Sequence, residues 1–156
     1  MLCVESVIIR PATPADAIRL LELGYAQSKE SAWHNRDAFV FDGPSFLDYL
    51  EQLSKTGVIL VAEKDGHVGG AYGANITTLT CNRHILLSQG VFWYCEPEFR
   101  KEAGLPLLAA GEKAAKSRGV RWAVVGVDDG ERSAALSRLY QRAHYRPAEH
   151  LHLKRL

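Results

Sequence analysis

The spacing of apolar residues changes along this chain, and the changes divide it into elements. Residues 4–10 place Val4, Val7, Ile8 and Ile9 ahead of Pro11. A β-branched run stopped by proline predicts a first strand. Thr13, Pro14 and Asp16 then supply a cap, a helix-initiating proline and an acid able to return the capping bond. Ile18, Leu21 and Tyr25 follow at helical spacing. Residues 28–43 have no period. There Trp33, Phe39 and Phe41 are mixed with His34, Asn35, Arg36 and Asp37. That composition suits a binding surface, and equally a surface loop whose aromatics tuck into the core. Helical spacing returns over 44–55, with Phe46, Leu50 and Leu53 on one side.

The apolar run 57–63 predicts a strand, Lys64-Asp65-Gly66 a tight turn, and 67–76 its partner strand. Gly69, Gly70 and Gly73 in that partner signal a bulge or a close neighbour. A second hairpin turns near Cys81, Asn82 and Arg83 into a long strand over 85–95, which Pro97 ends. A loop over 98–103 leads to a helix reaching about residue 118. Leu107, Leu108, Gly111 and Ala115 form its buried stripe, and Gly119 is its stop. The near-continuous apolar run 122–127 predicts a strand covered on both faces. Residues 131–143 predict a last helix. Leu151 and Leu153, alternating with His150, His152 and Lys154, predict a closing strand. The order βααβββαβαβ predicts a single α/β domain over residues 1–156. Its core is a mixed, mostly antiparallel sheet with helices on both faces.

Composition narrows the partners. The 156 residues are 47% apolar and 24% charged, which suits one domain. Lys and Arg number 19 against 18 acids, a net charge of +1. That balance argues against nucleic acid or an acidic membrane as partner. No apolar run approaches the ~20 residues of a membrane span, and the first residues lack the basic start of a signal peptide. Cys3, Cys81 and Cys95 are odd in number and form no CxxC pair. Reduced thiols and a cytoplasmic location are therefore expected. His150 and His152 share one strand face but lack a third ligand, so no metal is expected.

The stretch 89–118 carries the candidate chemistry. Unpaired N–H groups and the partial positive charge of a helix N-terminus can hold a phosphate. Arg100 and Lys101 add full charges there, and Gly104 permits close backbone approach. On spacing alone, a solvated basic turn before an ordinary helix remains open.

Residues 94–108, Tyr-Cys-Glu-Pro-Glu-Phe-Arg-Lys-Glu-Ala-Gly-Leu-Pro-Leu-Leu, resemble the coenzyme A loop of the GNAT superfamily of N-acetyltransferases. In that family a strand ends in a "PEYR"-like turn, followed by a glycine-containing loop and a Leu-Leu helix. Residues 7–16 resemble the family's opening strand and helix. Residues 133–147, with Leu139-Tyr140 and then His144-Tyr145-Arg146-Pro147, resemble its closing "LYxxxGFxP" segment. Nearly the whole chain is covered, in the family's order.

The resemblance implies a GNAT fold and transfer of an acetyl group from acetyl-CoA to a primary amine, by direct attack in a ternary complex. It implies that the amides of Arg100, Lys101, Glu102, Ala103, Gly104 and Leu105 hold the pyrophosphate. It further implies that the pantetheine arm pairs with the strand near Phe92, Tyr94 and Cys95, where that strand splays from the next. Ser133 stands where the family often has an Asn that contacts the cofactor. Tyr140 matches the tyrosine that several members use to protonate the leaving thiolate. The acceptor, a small-molecule or peptide amine, is expected against Glu30, Trp33, His34 and Gln89. Glu30, His34, Gln89 and Glu96 are the candidates for general base. Such folds commonly dimerise, so a homodimer is one expected assembly.

The chain departs from the pattern in places. Ala103 replaces the first loop glycine, Leu105 replaces a small residue, Pro106 has no N–H, and His144 replaces a glycine. These departures motivate a second reading, a catalytically silent GNAT-fold binding or assembly module. A third, a nucleotide- or phosphate-binding regulator, would use the same helix start.

Overall fold

The computed structural model describes residues 6–35 and 39–156. Cys3, Val4, Arg36 and Asp37 lie outside them. Among the described residues, one sheet takes the order β1 (Ile8–Pro11), β2 (Gly57–Lys64), β3 (His67–Leu79), β4 (Asn82–Cys95), β5 (Trp122–Val124). The first three pairings are antiparallel, and β4 pairs with β5 in parallel. The helices are α1 (Ala17–Glu30), α2 (Ala32–Asn35), α3 (Gly43–Thr56), α4 (Arg100–Ser117) and α5 (Ser133–Arg142). The mixed sheet with helices on both faces is thus as expected.

Alternation along β2 sends its side chains to opposite faces. Val58, Leu60 and Ala62 join Leu107 and Leu108 of α4 and Tyr140 of α5 in one core. Val61 joins Leu20 and Leu23 of α1 and Leu50 and Leu53 of α3 in the other. Gly111 allows α4 to close on the sheet, because a Cβ there would lie 2.2 Å from the Tyr72 ring. Local chemistry sets the helix ends. Asp42 accepts a 2.9 Å bond from the Ser45 amide and caps α3. Asp16 and Thr13 form a capping box at the 3-10 turn Pro14–Asp16, which leads into α1.

Four expectations are corrected. The stretch 28–43 is not wholly irregular, because it contains α2. No loop runs to residue 103; α4 begins at Arg100, once the Pro97 turn closes with Arg100 N–H on the Glu96 carbonyl at 3.1 Å. The strand over 122–127 shrinks to three residues. It lies at the sheet edge, with Trp122 and Val124 58% and 43% exposed rather than covered on both faces. The closing strand does not form. Residues 145–156 carry no regular structure, and Leu151 and Leu153 are exposed. A three-residue edge offers too few backbone groups to hold another strand.

Candidate active site

The parallel pairing of β4 with β5 ends at Gln89 and Val124. Beyond it β4 continues through Cys95 with no strand on that side. A bulge explains the divergence. Gly73 faces Phe92 while Ala74 faces Gly90, which leaves Val91 as the extra residue in β4. Such an insertion bends a strand and sharpens its twist. Gly73 also leaves room for Phe92, since a Cβ there would fall 2.2 Å from that ring.

The gap between the strands opens into a cleft of about 810 Å³, walled by α1, β4, the start of α4, the 125–128 segment and α5. That is the usual size of a small-molecule site. Arg142 lines the cleft at the C-terminal end of α5, while its other cations, Arg100, Lys101 and Arg132, gather at the start of α4. There the N–H groups of Arg100 and Ala103 are taken by the carbonyls of Glu96 and Phe99. Those of Lys101 and Glu102 stay at the open end of α4, where they and the helix dipole favour an anion. Glu30 occupies this end. Its carboxylate accepts from Arg100 at 2.5 Å and from Arg132 at 3.3 Å, and so ties α1 to α4 and to the start of α5. Arg100 is fixed further by donating to the Cys95 carbonyl at 2.9 Å.

Tyr140 lines the middle of the cleft, only 9% exposed, with its ring 5.5 Å from Trp93 and 5.6 Å from Tyr145. Burial raises its phenol well above the usual value, and the nearby Tyr72 adds to this. The hydroxyl is therefore protonated at neutral pH and available as a donor. Its position is held by a Schellman turn at the end of α5. His144 N–H bonds the Gln141 carbonyl at 3.0 Å, and Tyr145 N–H bonds the Tyr140 carbonyl at 2.9 Å. His144 takes φ +68° to make that turn. This is the backbone reason a glycine suits the position.

Burial pushes the Cys95 thiol up to about 11, although Arg100 and Arg132 pull the other way. Burial therefore favours the thiol over the nucleophilic thiolate. His34 contacts the Phe39 carbonyl through Nδ1 at 3.1 Å. A carbonyl can only accept, so Nδ1 carries the hydrogen and Nε2 of the neutral ring keeps its lone pair.

Phe92, Tyr94, Cys95, Arg100, Lys101, Gly104, Leu105 and Tyr140 all line this cleft, as do Glu30, Trp33 and His34. Others expected there do not. Gln89 is the last residue of the β4–β5 pairing and lies outside the lining. Ala103 is fully buried on the inner face of α4, the exposed Glu102 pairs with Lys64 at 3.2 Å, and Ser133 lies outside the lining although its neighbour Arg132 is part of it. Glu96 is held by Arg19 and His67 away from the cleft. Burial alone would raise its carboxyl, yet the bonds from His67 and Arg19 keep it below the usual range. Residue types did not single out Arg132, Trp93 or Phe46 as site residues, nor Val91 as the place of the bulge. The glycines of β3 were the signal for that bulge.

The open helix end, the cations around it and the unpaired β4 edge fit a long anionic cofactor of the CoA type. Among the described residues no group of His, Cys, Asp and Glu could hold a metal ion. No described helix is long and apolar enough to cross a membrane.

No protein-family model and no curated protein matches the chain. Solved structures do. A ribosomal-protein-alanine N-acetyltransferase from Brucella melitensis biovar Abortus 2308 superposes with TM-score 0.76 at 16% identity, over 97% of this chain and 100% of that one. The aminoglycoside N-acetyltransferase AAC(6')-Iy, in complex with CoA, gives 0.74 at 16% identity, over 100% and 99%. A transcriptional regulator from Bacillus halodurans C-125 gives 0.73 at 18% identity, over 96% and 99%. Sheet order, splayed β4 and full-length superposition agree: the chain has the fold of the GNAT N-acetyltransferases.

Proposed function

We propose that this protein transfers an acetyl group from acetyl-CoA to a primary amine by direct attack in a ternary complex. The observation that carries the reading is the cleft itself. In it an unpaired β4 edge runs from an open, cation-flanked helix start to a buried tyrosine.

The Lys101 and Glu102 amides, with Arg100, Lys101 and Arg132, hold the phosphates. The edge of β4 near Phe92 and Tyr94 aligns the pantetheine arm. Bound there, acetyl-CoA supplies an activated thioester carbonyl. Tyr140 donates a hydrogen bond at the leaving sulfur, where negative charge develops. His34, through Nε2, accepts the proton that the amine loses on attack. Burial of the Cys95 thiol, which disfavours its thiolate, supports direct attack by the amine over a route through an acyl-cysteine. The acceptor is a small-molecule or peptide amine, and the setting is the cytoplasm.

Isothermal titration with acetyl-CoA tests the reading. Expected is binding in the micromolar range that Arg100→Ala weakens at least tenfold; no binding at high micromolar cofactor rejects it. A second reading is a silent GNAT-fold module. Two observations favour it: the Glu30 carboxylate already sits on Arg100 and Arg132, and one fold neighbour is described as a transcriptional regulator. Thiol release that is absent across an amine panel, despite acetyl-CoA binding, would select it.

A further inference from the structure

Resting on the acetyl-transfer reading, we infer that Tyr72, a buried residue of β3, is a second hydroxyl donor at the reacting centre. Its phenol meets the thioester carbonyl oxygen while Tyr140 meets the sulfur. Three observations where β4 and β5 part converge on this.

The first is a gap over Gly90. Ser88 and Gly90 lie on one face of β4, opposite Ile76 and Ala74 of β3. The insertion at Val91 brings Trp93 onto that same face, where it packs with Ala74 and Ile76 against the α4 side of the sheet. Gly90 thus stands between Ser88 and Trp93 and leaves the sheet surface there unfilled. A Cβ on Gly90 would lie 3.4 Å from Val125 and 3.7 Å from the Tyr72 hydroxyl. That hydroxyl therefore borders the gap, and Tyr72, Gly90, Val125 and Tyr140 all line the cleft.

The second is unused bonding capacity. Tyr72 and Ser88 are 2% and 1% exposed, and Ser88 Oγ has no hydrogen-bond partner among the described residues. Burial holds the Tyr72 phenol above its ordinary value, while Ser88 pulls it down across a contact that falls short of a formed bond. Buried hydroxyls left unpaired are rare in folded proteins, and one beside a cleft has room for a ligand acceptor.

The third is the link to Tyr140. Tyr72 pairs across the strands with Trp93, whose ring stands 5.5 Å from that of Tyr140. The carbonyl oxygen and the sulfur of a thioester hang on one carbon, so donors to the two must come from adjoining side chains. In the step, the amine nitrogen bonds the carbonyl carbon and the π pair moves onto oxygen, where the Tyr72 O–H meets the charge. The pair returns as the C–S bond breaks. The sulfur leaves with the bonding pair, and the proton lost by the amine passes to His34. Tyr72 keeps its own proton throughout.

The test is isotope-edited infrared spectroscopy of acetyl-CoA, labelled with carbon-13 at the carbonyl, bound to the protein. Tyr72→Phe keeps the ring and removes the donor. It should move the carbonyl band to higher frequency, because a hydrogen bond weakens the C=O bond. Thiol release with butylamine, spermidine and kanamycin should fall by about tenfold or more in kcat, with KM for acetyl-CoA within about twofold. Gly90→Ala, whose added methyl meets only ordinary contacts, crowds the same hydroxyl and should shift the band in the same direction. A band that neither variant moves, or an unchanged kcat in Tyr72→Phe, overturns this inference and leaves acetyl transfer standing. No acetyl-CoA binding, or no thiol release with any of the three amines, overturns it together with the reading it rests on.

Discussion

At the residue scale, Tyr140 and Cys95 show how burial sorts two groups that look equally reactive in a sequence. Both sit in the cleft, and both lose acidity on leaving water. A phenol can still donate a hydrogen bond, although the raised value makes it a weaker acid toward the thiolate. For a thiol that would have to attack, it is disabling. Tyr140→Phe should lower kcat about 10- to 100-fold while KM for acetyl-CoA stays within about twofold, as expected when only charge developing at the sulfur loses its donor. Steady-state thiol-release kinetics read the split. Iodoacetamide at pH 8 should alkylate the exposed Cys81 promptly and Cys95 only in denaturant, as peptide mass spectrometry would show.

At the element scale, α5 ends in a Schellman turn whose left-handed residue is not a glycine. His144 holds φ +68° without contributing to either core. His144→Gly should therefore stabilise the protein by up to ~1 kcal/mol in urea denaturation, since glycine adopts that geometry without the Cβ penalty. The opposite substitution in α4, Gly111→Ala, should destabilise by more than ~1 kcal/mol, because the added Cβ meets the buried Tyr72 ring.

At the scale of the whole molecule, ionic networks join distant segments, and two of them carry predictions. Arg10 links Asp16, at 2.8 Å, to Glu63, at 2.7 Å, and so ties β1, the 3-10 turn and β2 together. The Arg10 hydrogen bonds lower the Asp16 carboxyl from 3.8 to about 2, against the opposing effect of burial. A carboxyl lowered on folding stabilises above its unfolded value, and that gain is lost as pH falls through its folded value. Stability from this contact is thus present above about pH 4 and fades toward pH 2. Asp16→Asn should cost about 1–2 kcal/mol at pH 7, somewhat reduced by the partial exposure of Arg10, and the difference should shrink at pH 2. Chemical denaturation at the two pH values measures it. The second network is Glu30 with Arg100 and Arg132 across the cleft. Its carboxylate holds the cations an anionic cofactor needs, so Glu30→Gln should tighten CoA binding several-fold by titration calorimetry.

The local pattern alone determined the element order apart from α2 and the absent closing strand, both hairpins, the stop of α4 and the resemblance of the 94–108 segment to a coenzyme A loop. These depend on neighbours in sequence: β-branched runs, turn residues, caps and helical spacing. It misjudged 122–127 and the closing strand, because an apolar run does not say whether another strand will cover it. Tertiary structure decided which of the candidates share a cleft. Gln89 and Glu96 lie within a few residues of the site in sequence, yet one is used in strand pairing and the other is drawn off by Arg19 and His67. Arg132 and Phe46 come from remote elements and meet the cleft only because β4 bulges at Val91 and parts from β5. Side-chain alternation and helical spacing are set along the chain. The width of a cleft, the pairing of its charges and the acidity of what it buries are set between segments that only folding brings together.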